Sequence, residues 1–402
     1  MVKNLFSAFI AILFFGACTP SSDSPSSHKN QWDLSLQNDE GNWIPARIAF
    51  KGHNETQVLQ IINAGDTIEL QPDKVSGDTT YYRFIDYHAE IAFTPDQNNT
   101  LSGYWVNFDD DPIRKRPIKA TPAEKIKNQD GTDRGLSGEW RTRVSLPNRG
   151  FDAILILEEK GDILQGTMRT RSGDYQHLEG LIEGEDFFLS TFSGNSLFYL
   201  EGKIKNDTLT GRIHGVKSSD RTIEAVRDPN FDLPDASSLT KVVNDKPFQL
   251  DLKDENGIPK KFSDLTADRV SVISIFGTWC PNCVEEVDYF NEIKDDFPEV
   301  KFLFVAFETT DDEAEQAKRV QGFKNRKNID MTFLIGGQLG EDNVREKFPM
   351  IDHFGAYPTT FILDKKGEIV SVHTGFNGPA TGLLFDQYKK EMEDLLQSLV
   401  DG

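Results

Sequence analysis

Two cysteines in the C-terminal half of the chain are the residues best placed to do chemistry. Cys280 and Cys283 stand in the pentapeptide WCPNC, which follows the apolar run Val270–Phe276 and opens a segment with helical periodicity. A cysteine at a helix N-terminus meets unpaired backbone N–H groups and the positive end of the helix dipole, which stabilise its thiolate. Pro281 suits the first helical position because it has no N–H to lose there. One helical turn brings Cys283 back to Cys280, so the pattern predicts thiol–disulfide exchange.

Other uses of a cysteine pair are open at this point. A zinc site needs two further ligands, and the sequence has no second CxxC motif and no paired histidine motif. Covalent haem attachment needs histidine at position 284, where valine stands. A structural disulfide across two residues closes too small a loop to restrict the unfolded chain much. We therefore predict no metal and no separate cofactor, the redox group being the disulfide of Cys280 and Cys283.

The segments around the pair predict an α/β layer fold. Nearly continuous apolar runs, Val270–Phe276 and Lys301–Phe307, are typical of strands buried on both faces. The turn Asp364–Gly367 separates two strand patterns and predicts an antiparallel hairpin. The predicted order is β-α-β-α-(β)-β-β-α. Its three helices are expected over Pro281–Phe297, Asp311–Phe323 and Leu383–Val400.

A second motif precedes the hairpin. The sequence AYPTT at residues 356–360 resembles the segment that carries the cis-proline of thioredoxin folds. With the strand, WCxxC and helix, it resembles the thioredoxin superfamily, and more closely its membrane-anchored, extracytoplasmic TlpA/ResA-like branch. The lead-in Phe248–Leu265, the residues FGTW before Cys280 and the extra segment Glu308–Asn328 favour that branch. The resemblance covers Phe248–Gly402 only, and it implies a thioredoxin-like domain with a central mixed sheet and flanking helices.

The resemblance also implies roles for individual residues. Cys280 would be the attacking thiol and Cys283 the resolving thiol. Pro358 would be cis and would present the backbone of Tyr357 to an extended substrate. Glu286, six residues after Cys280, matches a family carboxylate proposed to move protons for the buried cysteine, and the raised pKa of a buried carboxyl suits that task.

Simpler readings of these positions stay open. Glu286 has the alternative of a solvated helix glutamate, and its neighbour Glu285 is expected at the surface. Trp279 is expected to shield the disulfide, with a plain core tryptophan as the alternative. Cytoplasmic thioredoxins carry a buried aspartate six residues before the first cysteine, where this chain has Ser274. The remaining residues expected to support the redox site are Pro281, Asn282 and Thr359.

The N-terminal half predicts an all-β domain. Short alternating strand patterns are broken about every ten residues by turn sequences such as Lys160-Gly161-Asp162, the spacing of an antiparallel barrel or sandwich. The similar pentapeptides LSGYW at 101–105 and LSGEW at 136–140 suggest two related halves. Its aromatic residues, Trp43 among them, are expected in the core, with the lining of a ligand cleft as the alternative.

These patterns give a domain plan. It runs as a signal peptide at 1–18, a Ser-rich tether at 19–30, an all-β domain at 31–228 with halves 31–110 and 136–228, a linker at 229–245 and a thioredoxin-like domain at 246–402. The Pro-, Lys- and Asp-rich segment Asp109–Gly135 is expected to connect the two halves.

The first residues predict export. The apolar run Leu5–Phe15 follows Lys3 and is too short to span a bilayer, which takes about 20 residues, but it fits a signal-peptide core. Gly16-Ala17-Cys18 resembles a bacterial lipobox, in which Cys18 would be lipidated and anchor the chain to a membrane on the periplasmic side. An ordinary secretory signal with an incidental cysteine is the alternative. With Cys18 modified, Cys280 and Cys283 are the only thiols left.

Composition limits the partners. The chain has 402 residues and a formal net charge of −21, and both halves are acidic. A phosphate-binding surface needs a basic face, so nucleic acid is a poor partner. The predicted function is reduction of disulfides in exported proteins, with apocytochrome c and damaged envelope proteins as the clients that the resemblance implies and a membrane or periplasmic electron donor. The alternatives are a disulfide oxidase or isomerase, and an envelope-binding β domain with a regulatory thioredoxin-like domain.

Overall fold

The computed structural model describes residues 31–52, 57–123, 134–218, 220–243 and 250–402. The predicted signal peptide, the tether and Cys18 lie outside these residues, as does the beginning of the lead-in at Phe248. Within the described residues, no helix is both long enough and apolar enough to cross a membrane.

The first sheet is a nine-stranded antiparallel meander in the order β4-β3-β2-β1-β9-β8-β7-β6-β5. Its two edge strands, β4 and β5, are consecutive in the chain, so the sheet curls almost back onto itself. In the strand Val58–Asn63 every second residue is buried, so alternate side chains face the interior of the sheet. Its strands are β1 (Gln31–Gln37), β2 (Trp43–Lys51), β3 (Val58–Asn63), β4 (Asp66–Leu70), β5 (Pro72–Ser76), β6 (Thr79–Arg83), β7 (Ala89–Asp96), β8 (Thr100–Asn107) and β9 (Lys115–Pro122).

The second sheet closes into a barrel. Pairing of β11 with both β10 and β12 completes a ring of eight antiparallel strands, and the short β13 hangs on β12 outside the ring. Closure leaves the ring without an edge, and side chains such as Trp140 and Leu200 fill its interior. Its strands are β10 (Gly138–Leu146), β11 (Arg149–Lys160), β12 (Ile163–Thr170), β13 (Gly173–Asp174), β14 (Leu178–Glu183), β15 (Asp186–Phe192), β16 (Leu197–Lys205), β17 (Thr208–His214) and β18 (Arg221–Val226).

The C-terminal region is a thioredoxin-like α/β fold, so the predicted fold class is confirmed. A seven-stranded mixed sheet in the order β21-β20-β24-β23-β22-β26-β27 has parallel β22, β23 and β24 at its centre. Helices cover the sheet, and a two-stranded ribbon of β19 and β25 lies beside it. The elements are β19 (Lys241–Val242), β20 (Asp251–Asp254), β21 (Pro259–Lys261), α1 (Phe262–Thr266), β22 (Ser271–Phe276), α2 (Pro281–Ile293), β23 (Lys301–Glu308), α3 (Glu313–Lys327), β24 (Thr332–Gln338), α4 (Glu341–Lys347), β25 (Ile351–His353), β26 (Thr359–Leu363), β27 (Ile369–Thr374) and α5 (Leu383–Asp401).

Several expectations from the sequence differ from the structure. The expected connection 109–135 contains β9, which pairs with β1 and β8 in the first sheet. The expected linker 229–245 contributes β19, which pairs with β25 of the C-terminal α/β region, called the redox region below. Trp43 is 41% exposed and carries Lys119 over its ring, so it is not a core residue. In the first two cases, pairing with a strand distant in sequence decided what local composition left open, and Trp43 is the exposed first residue of β2.

The three sheets share a core. One contiguous cluster of buried apolar side chains runs from the first sheet through Phe192 and Leu197 of the barrel to Cys280 and Phe376 of the redox region. Ion pairs reinforce this junction: Arg319 on α3 lies 3.4 Å from Asp109, and Lys327 pairs with Asp86. The β sheets are therefore packed onto the cysteine pair.

Candidate active site

The cysteine pair sits where strand β22 gives way to helix α2. Cys280 is the N-cap of the helix and Pro281 takes its first position. Cys280 and Cys283 form a disulfide with Cα atoms 5.2 Å apart, and the Cys283 N–H donates to Cys280 Sγ over 3.4 Å. Cys280 is 6% exposed and Cys283 is fully buried. Cys280 is therefore the less buried of the two cysteines, and the helix N-terminus stabilises a thiolate there after reduction.

A cis-proline loop faces the disulfide. The Tyr357–Pro358 peptide bond is cis, and the Tyr357 carbonyl oxygen lies 4.0 Å from Cys280 Sγ. Thr359 opens β26, and its hydroxyl donates to the Ala356 carbonyl over 2.8 Å, which closes the loop. The backbone beside the cis bond is thus held next to the reactive sulfur.

Trp279 is half-buried, and its side chain is held by a hydrogen bond and by a ring contact. Its indole N–H donates to the Phe307 carbonyl over 2.9 Å, and its ring packs edge-on against Tyr357 with centroids 5.4 Å apart. Asn282 on the other side of the disulfide donates from Nδ2 to the Phe376 carbonyl over 3.1 Å. Both residues join the cysteine loop to neighbouring segments of the site.

Glu286 is completely buried behind the disulfide, so it is not a solvated helix glutamate. Ser274 Oγ donates to its Oε2 over 2.6 Å and Thr360 Oγ1 donates to its Oε1 over 2.7 Å. Burial raises the pKa of Glu286 to about 7, although these two hydrogen bonds act to lower it. Cys283 precedes it by three residues on α2, which places both side chains on one face of the helix. A carboxyl that titrates near neutrality can exchange a proton with the buried thiol.

A second buried carboxylate, Glu308 at the end of β23, was not predicted. It accepts hydrogen bonds from the backbone N–H of Thr278 over 3.0 Å and from the Thr278 hydroxyl over 2.8 Å. Burial raises the pKa of Glu308 to about 7, although the two hydrogen bonds from Thr278 and the charge of Arg319 act to lower it. Glu308 fixes the turn that leads into Trp279. A charged residue that ends a run as apolar as KFLFVAF was the signal available in the sequence.

The barrel reaches the redox loop through Asn195, in the turn between β15 and β16. Asn195 Nδ2 donates to the Trp279 carbonyl over 2.5 Å, and its Oδ1 accepts from Asn107 of the first sheet over 2.6 Å. The same turn is held by Trp105, whose indole N–H donates to the Gly194 carbonyl over 2.8 Å. This one asparagine therefore connects all three sheets.

A second contact comes from β13. Gly173 forms an isolated parallel bridge with Phe376, and the Gly378 N–H donates to Asp174 Oδ2 over 2.5 Å. Gly173 has φ +139°, and a Cβ atom there would overlap the side chain of Asn282. Only glycine lets the two backbones approach this closely.

Asp174 also meets Glu285 of α2, which the sequence placed at the surface. The Glu285 Oε2 atom is buried and has no hydrogen-bond partner among the described residues, while Gln176 Nε2 donates to its Oε1 over 3.2 Å. Burial raises the pKa of Asp174, and burial together with the charge of Asp174 raises the pKa of Glu285. The interface between the barrel and the C-terminal region thus contains two carboxyl groups, and its surroundings favour their protonated forms.

The site is built from cysteines, carboxyls and backbone. Over the part of the chain that the structure describes, no group of three or more His, Cys, Asp or Glu side chains is arranged to hold a metal ion. The arrangement supports chemistry at sulfur, with proton exchange inside the protein.

Comparisons with known proteins agree with this geometry. The sequence model of the Redoxin family matches residues 229–386. The thioredoxin-like protein YneN of Bacillus subtilis is 28% identical over 145 residues, which cover 36% of this chain and 73% of YneN. The thiol-disulfide oxidoreductase ResA of Geobacillus kaustophilus is 28% identical over 124 residues, covering 31% of this chain and 64% of ResA, so less than two thirds of that relative is spanned.

Among solved structures, a thiol:disulfide interchange protein of the thioredoxin family from Chlorobium tepidum aligns with 40% of this chain and 98% of its own, at 16% identity and a TM-score of 0.30. The family match and the disulfide geometry lie in the same region. Residues 229–386 of this chain thus match the Redoxin family, and the C-terminal region is similar to thioredoxin-like thiol–disulfide oxidoreductases.

Proposed function

We propose that this chain is an extracytoplasmic enzyme that reduces disulfides in exported proteins and is anchored to a membrane through a lipid on Cys18. The observation that carries the redox part is the disulfide at the N-terminus of α2, with its outer sulfur 4.0 Å from the carbonyl of the cis Tyr357–Pro358 bond. The names of the ResA relatives support the same chemistry. The reductive direction and the clients, apocytochrome c and damaged envelope proteins, rest on the resemblance to the TlpA/ResA-like branch.

In the first step, the reduced enzyme attacks. The Cys280 thiolate, stabilised by the helix N-terminus, bonds to one sulfur of a client disulfide. The client S–S bond breaks, its electron pair stays on the departing client sulfur, and a mixed disulfide joins Cys280 to the client. The client segment lies beside Tyr357, whose backbone carbonyl accepts a hydrogen bond from it.

In the second step, Cys283 resolves the mixed disulfide. Its thiol gives its proton to the carboxylate of Glu286, and the thiolate attacks Cys280 Sγ. The Cys280–Cys283 disulfide forms, and the second client sulfur leaves as a thiolate that takes up a proton. Two electrons have passed to the client, and a dithiol donor at the membrane or in the periplasm must return two electrons and two protons to the enzyme.

The reduction potential tests the direction. The full chain with Cys18→Ser keeps Cys280 and Cys283 as its only thiols, and it is equilibrated with glutathione or dithiothreitol buffers and then alkylated for mass analysis. A potential below about −230 mV, towards thioredoxin, supports a reductase. A potential near about −120 mV would make the enzyme an oxidant and overturn the proposed direction. Cys280→Ser is the control that removes the couple.

The anchor is tested separately. Cells that express the chain or its Cys18→Ala variant are labelled with a radioactive fatty acid and fractionated. Label and membrane association that both depend on Cys18 support the anchor. If the chain is exported but carries no label and does not associate with the membrane, its N-terminus is an ordinary secretory signal and the proposed anchor is wrong.

A further inference from the structure

The β sheets cover the face through which a client must reach Cys280. Three segments border the disulfide: the Trp279 loop, the cis-proline loop and the loop at 375–378. The barrel is bonded to two of the three, through Asn195 on Trp279 and through β13 on the 375–378 loop. The reactive sulfur of Cys280 is correspondingly buried, with the residue 6% exposed.

This cover is a built part of the molecule. Asn195 is held from the first sheet by Asn107, which is 6% exposed, and its turn is held by the fully buried Trp105. Gly375 and Ser172 approach so closely that a Cβ atom at Gly375 would overlap the Ser172 backbone. The contact between barrel and redox domain therefore depends on a glycine at one point and on buried hydrogen-bond donors at another, which indicates a specific interface.

One cleft remains open at the junction. It has a volume of about 590 Å³ and its walls come from all three sheets. Trp279 and Pro281, which flank Cys280 in the sequence, line the cleft together with Asn195, Leu197 and Val216 of the barrel, and Lys217, which also lines it, is exposed. This volume falls in the range of pockets that enclose a small ligand, about 300–1,000 Å³, and holds a few residues of extended chain but no folded surface.

We propose that this cleft is the entrance for clients and that it selects extended, cysteine-containing polypeptide segments over cysteines on folded surfaces, with Asn195 as a specificity-determining residue. The inference rests on the proposed function, because it names the substrate class of the same redox centre. A segment in the cleft lies along Trp279 and Pro281 and brings its sulfur to Cys280. A folded client domain would collide with the barrel before its surface cysteine could reach Cys280.

The test compares two presentations of one cysteine. A peptide of about ten residues and a stable protein with the same segment on its surface each carry a thionitrobenzoate mixed disulfide. The fully reduced chain with Cys18→Ser is mixed with each, and release of thionitrobenzoate is followed. Rates are divided by those of free dithiothreitol with the same adducts, which corrects for intrinsic reactivity. We expect the peptide to react at least tenfold faster than the folded protein after this correction.

Variants locate the selection. Lys217→Trp narrows the cleft and lowers the rate with the peptide at least fivefold relative to the rate with oxidised glutathione. The matched control Lys205→Trp, an exposed lysine on the same barrel away from the cleft, leaves that ratio unchanged. Asn195→Ala loosens the cover and raises the rate with the folded protein more than that with the peptide.

The outcomes separate the two proposals. Equal corrected rates for peptide and folded protein in the Cys18→Ser chain, or a peptide rate unchanged by Lys217→Trp, would overturn the cleft as entrance while leaving the redox function intact. No reaction with any disulfide, oxidised glutathione included, would overturn the proposed function itself. The comparison of peptide and folded protein needs no substitution in the cleft, so it stands even where Lys217→Trp or Asn195→Ala disturbs folding.

Discussion

The two sides of the disulfide are built by different parts of the chain. The inner side lies wholly within the redox domain: Cys283 and Glu286 are fully buried, and Ser274 and Thr360 supply the hydroxyl donors. The outer side is an interface in which the barrel touches the Trp279 loop through Asn195 and the 375–378 loop through β13. Under the proposed function, proton transfer takes place inside one domain, while the other domain controls access to the outer sulfur.

The two sides also differ in their buried carboxyl groups. The two groups that donate to Glu286 on the inner side, Ser274 and Thr360, are neutral hydroxyls, and burial raises the pKa of this carboxyl to about 7. On the outer side, Asp174 and Glu285 face each other from two domains, and both are driven towards the protonated form. We therefore expect a change of pH to alter the rate of the resolving step through the inner side and the stability of the contact between the domains through the outer side. The following experiments address these two sides separately.

The largest effect is expected from Glu286→Gln. Loss of the proton acceptor slows release of the client from the mixed disulfide by about 100-fold at neutral pH, the usual contribution of a general base. In the wild type this step speeds up as pH rises through about 7, where Glu286 loses its proton. In the variant the rise moves to the ordinary range of a thiol, about 8.5. Stopped-flow release of the client thiol across pH measures it.

Glu292→Gln is the control for this substitution, since it makes the same change at an exposed position of the same helix. Its profile should match the wild type. A Glu286→Gln profile that still breaks near pH 7 would assign the titration to another group and leave Glu286 with a structural role.

On the outer side, Gly173→Ala breaks the close approach of β13. Alanine carries a strain of about 1–2 kcal/mol at positive φ, and overlap with Asn282 adds about 1–3 kcal/mol. Gly184→Ala is the matched control, because Gly184 lies in a turn of the same barrel at φ +66° with no neighbouring atom within 4 Å. Thermal unfolding should show a clearly larger loss for Gly173→Ala. Equal losses would mean that the contact with the redox domain does not stabilise the chain.

The carboxyl pair on the outer side predicts a pH dependence of stability, whereas Glu286 predicts a pH dependence of the reaction rate. The pKa of Asp174 is raised in the folded state, so the folded chain holds a proton that the unfolded chain releases. The stability from this site is complete below the ordinary carboxyl pKa of about 4 and is lost as pH rises through the raised value. Asp174→Asn mimics the protonated acid and removes this loss.

Melting temperatures of Asp174→Asn and wild type should therefore agree at the acidic end and separate towards neutral pH, with the variant the more stable. Asp186→Asn, an exposed aspartate on the same barrel, controls for removal of one charge. A constant difference across pH would show that Asp174 is ionised in the folded chain at all these values.

What the sequence could predict follows the same division. Cys280, Pro281, Cys283 and Glu286 lie within seven consecutive residues, so the helix that the local pattern predicts already sets their relative positions. The cis-proline segment joins them through pairing of β22 with β26, which the fold class implies. Local periodicity and one resemblance therefore predict the positions of the two cysteines, the cis-proline and Glu286, but they do not predict that Ser274 and Thr360 donate to Glu286.

The outer side has no such signal. Asn195 meets Trp279 across 84 positions of chain, and Asp174 meets Gly378 across 204. Asn195 stands in an ordinary turn and β13 has two residues, so neither carries a period or a motif. Glu285 was predicted at the surface because a polar helix position is normally solvated, and only docking of the barrel buries its carboxyl. Which domain covers a site is a tertiary property that local pattern does not encode.

The smallest expected effect, from Ser274→Ala, distinguishes a proton-transfer role of Glu286 from a structural one. The Ser274 hydroxyl donates to Glu286 and lowers its pKa, so loss of this donor raises that pKa further. A hydrogen bond to a charged group contributes about 1.5 kcal/mol, which corresponds to about one pKa unit. The pH at which the resolving step speeds up should move upward by about that amount, with a severalfold slower rate at pH 7. Ser271→Ala is the control, because Ser271 is equally buried in the same strand but its hydroxyl donates to the Arg269 carbonyl. An unmoved profile in Ser274→Ala, with stability lowered as in Ser271→Ala, would mean that the hydroxyl only fills space.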